Sequence, residues 1–122
     1  MLDKAGKNAF YGTDLELILQ THAITHLLVT GVTTDVCCFA TTIAANDRGY
    51  HALVLADCVA SYSPERHTAA LAIIQAQGGI FGYVTESATV LAALASVTEL
   101  PKAAQTFSRP VNGAPETTAP VK

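Results

Sequence analysis

Short apolar runs alternate with amphipathic segments through most of the chain. Three runs are apolar on both faces, which predicts buried parallel strands. They lie at residues 27–30, 51–55 and 80–84. Four amphipathic segments predict helices before, between and after these strands. They lie at residues 13–20, 36–47, 64–77 and 87–94. This alternation is typical of βαβ units, so we predict a doubly wound (Rossmann-like) α/β fold, a parallel sheet with helices on both faces.

Local signals mark where two of these helices begin. Thr13 and Glu16 have the spacing of a capping box, in which the two side chains satisfy free backbone N–H groups. Ser63, Pro64 and Glu65 place a capping hydroxyl, a proline and an acid at the start of another helix. Both signals support the helical interpretation of the segments that follow them.

The composition changes near residue 98, which suggests a domain boundary. Residues 98–122 contain four prolines among Ser, Thr, Asn and Gly, and this predicts a disordered tail. Residues 1–97 then form one domain. Three strands are few for a covered parallel sheet, and residues 1–4 have the character of a strand end. We therefore expect the domain to be partial, truncated at its N-terminus.

Composition and charge exclude several classes of function. Of 122 residues, 50% are hydrophobic and 14% are charged, which excludes a disordered chain. The net charge of −3 has the wrong sign for a nucleic-acid partner. No apolar run approaches the roughly 18–20 residues of a membrane span, and no apolar signal segment follows Met1. We expect a cytoplasmic protein whose abundant apolar surface favours a homo-oligomer.

The cysteines do not have the spacing of a disulfide scaffold or a zinc site. Cys37 and Cys38 are adjacent, which strains a disulfide, and no C-x-x-C pair is present. We expect Cys38 and Cys58 to be buried apolar thiols. His22 and His26 are four residues apart, but they lack the intervening glutamate of a zinc-binding helix. We therefore expect neither a metal nor another cofactor.

Cys37 is placed where chemistry is expected in a parallel sheet. It follows the first strand and opens a helix, so backbone N–H groups there can stabilise a thiolate and an oxyanion. Ligands of open α/β sheets bind at this carboxyl edge. The alternative is a small helix residue that faces the sheet. Lys4 is a candidate cation for the same edge, or an ordinary surface lysine. Phe10 lines the substrate pocket or packs in the core.

Several motifs resemble those of the isochorismatase-like cysteine hydrolases. They are K-A-G-K-N-A-F at residues 4–10, G-T-D-L at 12–15, T-G-V-T-T-D-V-C at 30–37, D-R-G-Y at 47–50 and Q-G-G-I-F-G at 77–82. The resemblance extends to about residue 95. Within the family, the last stretch and the cysteine loop look closest to the biuret and ureidoacrylate amidohydrolases.

The resemblance implies a Cys–Lys–Asp triad in which Cys37 is the nucleophile and Lys4 the lysine. It implies a cis peptide between Val32 and Thr33, and an oxyanion hole formed by the N–H groups of Thr33 and Cys37. It also implies that Gln77 binds the substrate amide. The family's aspartate lies upstream of its lysine, on a strand with no counterpart here. Neither the adjacent Asp3 nor the loop residue Asp35 replaces it.

The sequence therefore supports a hydrolase of C–N bonds in small amides or ureides, acting through a thioester. Without the aspartate, we expect little or no turnover from the chain as given. One alternative is an inactive half-domain that acts through self-association or partner binding at an open sheet edge. Another is a small binding module without chemistry, which would have no need of Lys4 and Cys37 together.

Overall fold

The computed structural model describes residues 3–97. Three parallel strands form one sheet in the order β1-β2-β3. They are β1 (His26–Val32), β2 (His51–Ala60) and β3 (Tyr83–Thr85). Five helices and one π-helical turn surround the strands. They are α1 (Leu15–Thr21), the π-helical turn (Thr34–Cys38), α2 (Phe39–Asp47), α3 (Pro64–Ile74), the short α4 (Ala76–Gly79) and α5 (Ser87–Val97). The predicted α/β fold with a parallel sheet is confirmed. Within residues 3–97, no helix has both the length and the apolar character that crossing a membrane requires.

A bulge in β2 makes this strand longer than the predicted 51–55. β2 pairs with β1 as far as Ala60, but its register shifts by three residues opposite Thr30. The bulge contains Asp57, whose carboxylate accepts hydrogen bonds from the backbone N–H of Ser87 (2.8 Å) and from the Ser87 hydroxyl. The polar segment after residue 55 therefore stays in the sheet, and its aspartate secures the first turn of α5.

The core lies between β2 and the helices α2 and α3. Ala45, Val54 and Ile74, one from each of these elements, are fully buried. Gly82 precedes β3 where the backbones approach closely, because a Cβ there would lie 2.7 Å from the Ala52 carbonyl oxygen. The packing fixes α2 and α3 against the sheet, and both begin on the side where the strands end.

Part of the sheet is open to solvent among the described residues. Leu28, Leu53 and Tyr83 are aligned across the three strands. Leu28 is 55% exposed and Tyr83 is 59% exposed. Within residues 3–97, β1 pairs only with β2, so its other edge is unpaired. Apolar surface and an unpaired strand edge therefore occur on the same side of the molecule.

Several element boundaries differ from the prediction. The helix expected over 36–47 is interrupted, because its first residues form the π-helical turn. The helix expected to reach residue 77 ends at Ile74, since Gln77 and Gly78 have left-handed backbone conformations. The strand expected over 80–84 begins only at Tyr83, because Ile80 is still helical.

The N-terminal predictions also need correction. α1 begins after Asp14, which makes no side-chain cap, so Thr13 and Glu16 do not form the predicted capping box. The Thr13 hydroxyl accepts from the Leu15 N–H at 3.3 Å and donates to the Ala9 carbonyl at 2.6 Å, while the Glu16 carboxylate pairs with Arg48. Asp3 and Lys4 lie outside regular secondary structure, and the first two residues of the predicted strand end lie outside the described residues. The predicted tail, residues 98–122, lies outside the described residues.

Candidate active site

Cys37 lies in the π-helical turn at the carboxyl end of β1. Thr33 directly precedes the turn, and its carbonyl accepts from the N–H groups of Val36 (3.3 Å) and Cys38 (3.0 Å). The peptide bond between Val32 and Thr33 is cis, at the position that the family resemblance implies. Cys37 itself is partly exposed. The predicted nucleophile is thus held on a closely hydrogen-bonded turn and is accessible to a small reagent.

The Lys4 ammonium lies beside the Cys37 thiol. Its Nζ is 3.6 Å from Cys37 Sγ, and it also donates to the carbonyl oxygens of Gly6 and Lys7, both at 3.0 Å. An ammonium has three donors, and these three acceptors use all of them. Two backbone contacts therefore aim the third donor at the sulfur.

Phe10 anchors the loop that carries Lys4. Its ring is only 5% exposed and stacks on Tyr50, with ring centroids 5.8 Å apart. The Arg48 guanidinium lies 4.8 Å from the centre of the Phe10 ring and forms an ion pair with Glu16. The Phe10 ring therefore packs against both Tyr50 and Arg48. Phe10 belongs to the buried core, and its predicted place at the substrate pocket stays a prediction.

Two polar residues that the sequence motifs did not single out, Asn8 and Thr41, hold this loop in place by accepting hydrogen bonds from its backbone. The Asn8 side-chain oxygen accepts from the N–H groups of Phe10 (2.9 Å) and Tyr11 (2.8 Å). The Ala9 N–H donates to the Thr41 hydroxyl on α2 at 3.0 Å. Asparagine side chains often accept hydrogen bonds from the backbone a short way along the chain and so form turns. The role of Asn8 could therefore have been predicted from the sequence. The contact with Thr41 is long-range and has no such signal.

A cavity of about 410 Å³ opens beside Lys4 and Cys37. Its floor is the unpaired edge of β1 from Leu27 to Val32, and its walls are largely apolar. Phe10 and Gln77 are not among the residues that line it. Gln77 is exposed beyond the end of α3, a helix that begins at the carboxyl edge of the sheet and leads away from it. Within residues 3–97, the structure therefore joins Lys4 to Cys37 but leaves Gln77 apart.

The nearby aspartates are occupied by other partners. Asp35 accepts from the Ser61 hydroxyl at 2.6 Å and lies 3.7 Å from Arg66, and the Ser61 hydrogen bond is the main cause of its lowered pKa. The hydrogen bonds from Ser87 likewise lower the pKa of Asp57. Both groups are ionised at neutral pH. Among the described residues, no carboxylate contacts the Lys4 ammonium or the Cys37 thiol.

The remaining cysteines have different surroundings. Cys38 is 4% exposed, as predicted, and burial raises the pKa of its thiol. Cys58 is exposed in the β2 bulge, so the prediction that it is buried is wrong. The bulge turns Cys58 outward, with its sulfur 3.7 Å from the Asp57 carboxylate. The chain thus has one buried thiol and one exposed thiol with which Cys37 can be compared.

The histidines occupy separate positions. His26 and His51 stack at the start of β1 and β2, with ring centroids 4.8 Å apart, while His22 ends α1. His67 lies on α3, where it contacts Thr34. In the part of the chain that the structure describes, no group of three metal-ligating side chains comes together.

Comparison with known proteins identifies the family of this site. The Isochorismatase domain family matches residues 1–111. The chain belongs to the isochorismatase family. The ureidoacrylate amidohydrolase RutB of Methylobacterium radiotolerans is 34% identical over 105 residues, which cover 85% of this chain and 40% of that protein. The chain spans about 40% of the length of curated isochorismatase-family relatives that it matches.

Solved isochorismatase-family structures share the fold. An isochorismatase-like hydrolase from Alkaliphilus metalliredigens matches with a TM-score of 0.71 and 30% identity, over 76% of this chain and 49% of that one. The nicotinamidase PncA from Bacillus subtilis matches with a TM-score of 0.66 and 36% identity, over 70% of this chain and 46% of that one. Both names describe hydrolases.

Proposed function

We propose that Cys37 is the nucleophile of a cysteine hydrolase that cleaves C–N bonds in small amides or ureides. The observation that carries the proposal is the 3.6 Å contact between Lys4 Nζ and Cys37 Sγ, made by residues 33 positions apart. A thiolate beside a fixed ammonium, at the carboxyl edge of a parallel sheet, suits acyl transfer. The family membership supports the same chemistry.

In the proposed reaction, Cys37 Sγ attacks the carbonyl carbon of the amide or ureide. The oxyanion that forms accepts from the N–H groups of Thr33 and Cys37. The C–N bond then breaks, the nitrogen takes a proton and leaves as ammonia, and a thioester remains on Sγ. Water attacks the thioester and restores the thiol, releasing a carboxylic acid from an amide or a carbamic acid from a ureide. Lys4 stabilises the thiolate before attack and after release.

Proton transfer is the part of this reaction that the described residues do not supply. The thiol must lose a proton and the leaving nitrogen must gain one, which is the task of the third triad member. Asp35 and Asp57 are committed to Ser61 and Ser87. All five aspartates of the sequence lie within residues 3–97, so we propose that the third triad member is an aspartate of a segment that this sequence does not contain. Without it, turnover should fall by roughly 10⁴-fold or more.

The cavity supports a small substrate. Its volume of about 410 Å³ and mainly apolar walls fit a compact, flat molecule with a terminal carboxamide or ureido group at the Cys37 end. The name of RutB, an amidohydrolase of ureidoacrylate, favours the ureide class. Gln77 as a substrate-binding residue stays a prediction from the family resemblance, and Gln77→Ala should raise KM in an active preparation if it holds.

The test measures ammonia release from ureidoacrylate, biuret and nicotinamide at high protein concentration, with wild type beside Cys37→Ser. Peptide mass analysis follows any acyl or carbamoyl group on Cys37. We expect slow ammonia release, or an adduct on Cys37, that the serine variant lacks. If wild type and Cys37→Ser give the same ammonia release and no adduct forms, the proposal is overturned for this chain.

A second candidate function is self-association through the open side of the sheet. The unpaired edge of β1 and the exposed row of Leu28 and Tyr83 favour it, because such surfaces pair with other chains. We propose a homo-oligomer on this basis. Sedimentation of wild type and Leu28→Lys tests it: a monomeric wild type overturns association, and an unchanged oligomer in the lysine variant overturns this surface.

A further inference from the structure

The nucleophile turn is held from a second side by α3. The π-helical turn follows β1 and leads into α2, so both of those contacts are local in sequence. α3 begins some 30 residues further along the chain and packs across the turn. Thr34, at the start of the turn, and His67, in the second turn of α3, form the closest polar contact between them.

The contact joins a fully buried hydroxyl to an imidazole. Thr34 Oγ1 lies 2.8 Å from His67 Nδ1, and Thr34 is 0% exposed. A buried hydroxyl that loses its partner destabilises the position it occupies, because no water replaces the bond. The hydrogen bond therefore selects one placement of Thr34 relative to α3. Since Thr34 is three residues before Cys37, that placement also fixes where the nucleophile begins its turn.

The neighbouring residue is tied to the same part of the chain. Asp35 accepts from the Ser61 hydroxyl just before α3 and pairs with Arg66 on its first turn. Two successive residues of the turn are thus bound by the segment that contains Ser61 and His67. The Thr34–His67 bond is better shielded than the Asp35–Arg66 pair, because the Arg66 side chain is 68% exposed.

We infer that His67 is a positioning residue for Cys37, acting through Thr34. The imidazole holds the start of the turn, and the turn then presents Sγ at hydrogen-bonding distance from the Lys4 ammonium. His67 does not contact the Lys4–Cys37 pair, so it takes no part in proton transfer. This inference rests on the proposed function, because it concerns how the same nucleophile is aligned.

The test compares variants by the reactivity of Cys37 toward iodoacetamide. The rate is expressed relative to exposed Cys58 in the same sample, and fragment masses separate Cys37 from Cys38. Thr34→Val keeps the shape and removes the hydroxyl, whereas Thr34→Ser keeps the hydroxyl. Thr68→Val is the matched control, since the Thr68 hydroxyl is bonded within α3 to the Pro64 carbonyl. Circular dichroism and Tm verify that each variant folds.

We expect Thr34→Val to lower the relative rate of Cys37 by about threefold to tenfold, because small displacements of a nucleophile cost reactivity. Thr34→Ser and Thr68→Val should stay within about twofold of wild type. His67→Ala should act like Thr34→Val, and combining the two should add little, as expected for partners in one bond. A lower Tm with an unchanged or raised relative rate would show a purely structural bond and overturn the inference.

A Lys4→Met variant separates this inference from the proposed function. If Lys4→Met leaves the relative rate of Cys37 unchanged, the activated pair itself is refuted. If Lys4→Met lowers the rate but Thr34→Val does not, only the positioning role of His67 fails. If His67→Ala does not fold, the comparison of Thr34→Val with Thr34→Ser still decides whether the hydroxyl positions Cys37.

Discussion

Replacing Lys4 with methionine removes the ammonium beside Cys37 and keeps most of the side-chain length. At the observed 3.6 Å, the attraction between an ammonium and a thiolate is about 1 kcal/mol in water and about 5 kcal/mol at a protein-like dielectric. Lys4 is exposed, so we take the lower value. About 1 kcal/mol corresponds to roughly a fivefold loss of thiolate stabilisation.

The assay is the rate of Cys37 alkylation by iodoacetamide at neutral pH, measured relative to Cys58. Lys7→Met is the matched control, because it removes the same charge from the same loop while its carbonyl still binds Lys4. We expect Lys4→Met to slow Cys37 by about fivefold to tenfold, and Lys7→Met to change it little. Because Lys4 is exposed, about 1 M salt should reduce the difference in Cys37 alkylation rate between Lys4→Met and Lys7→Met. Equal rates in the two variants would refute a specific role of Lys4.

Three further predictions concern the surroundings of this pair. Iodoacetamide should leave Cys38 unmodified until the protein unfolds, because burial raises the pKa of its thiol. Rapid labelling of Cys38 in the folded protein would contradict this. Asp35→Asn should lower the urea midpoint at neutral pH, because the Ser61 hydrogen bond lowers the folded pKa of Asp35. That stabilisation is present above the ordinary pKa of about 4 and is lost as the pH falls through the folded value, so an equal deficit in acid would count against it. Phe10→Ala should lower the unfolding free energy by about 3–5 kcal/mol and slow labelling of the nucleophile, since the ring anchors the Lys4 loop; destabilisation with unchanged labelling would argue against anchoring.

The sequence pattern predicted the order of strands and helices because buried parallel strands are apolar on both faces. It placed the start of β2 at residue 51 correctly and missed the extension to Ala60. Residues such as Asp57 are unfavourable in strands, and pairing with β1 across the bulge is what keeps them there. The end of α3 was misplaced because the left-handed conformation of Gln77 is rare for a non-glycine residue.

The reactive residues of the candidate site could be predicted from the sequence, but the turn and the hydrogen bonds that hold them in place could not. Cys37 and Lys4 stand in motifs that resemble one family, and the structure brings them together. The turn that carries Cys37 was expected to be an ordinary helix, since a π-helical turn has no distinct periodicity in five residues. The Thr34–His67 bond spans 33 positions, and neither residue marks its partner in the sequence.

The most direct test of whether Cys37 is an acyl-accepting nucleophile is the reaction of the folded protein with p-nitrophenyl acetate. Nitrophenolate leaves without being protonated, so this substrate tests Cys37 and its surroundings without the missing carboxylate. Release of nitrophenolate is followed in time, and the acetyl group is located by peptide mass. We predict a burst of about one equivalent with the acetyl group on Cys37, absent from Cys37→Ser. An acetyl group found mainly on Cys58 or lysine, or no burst in wild type, would contradict it.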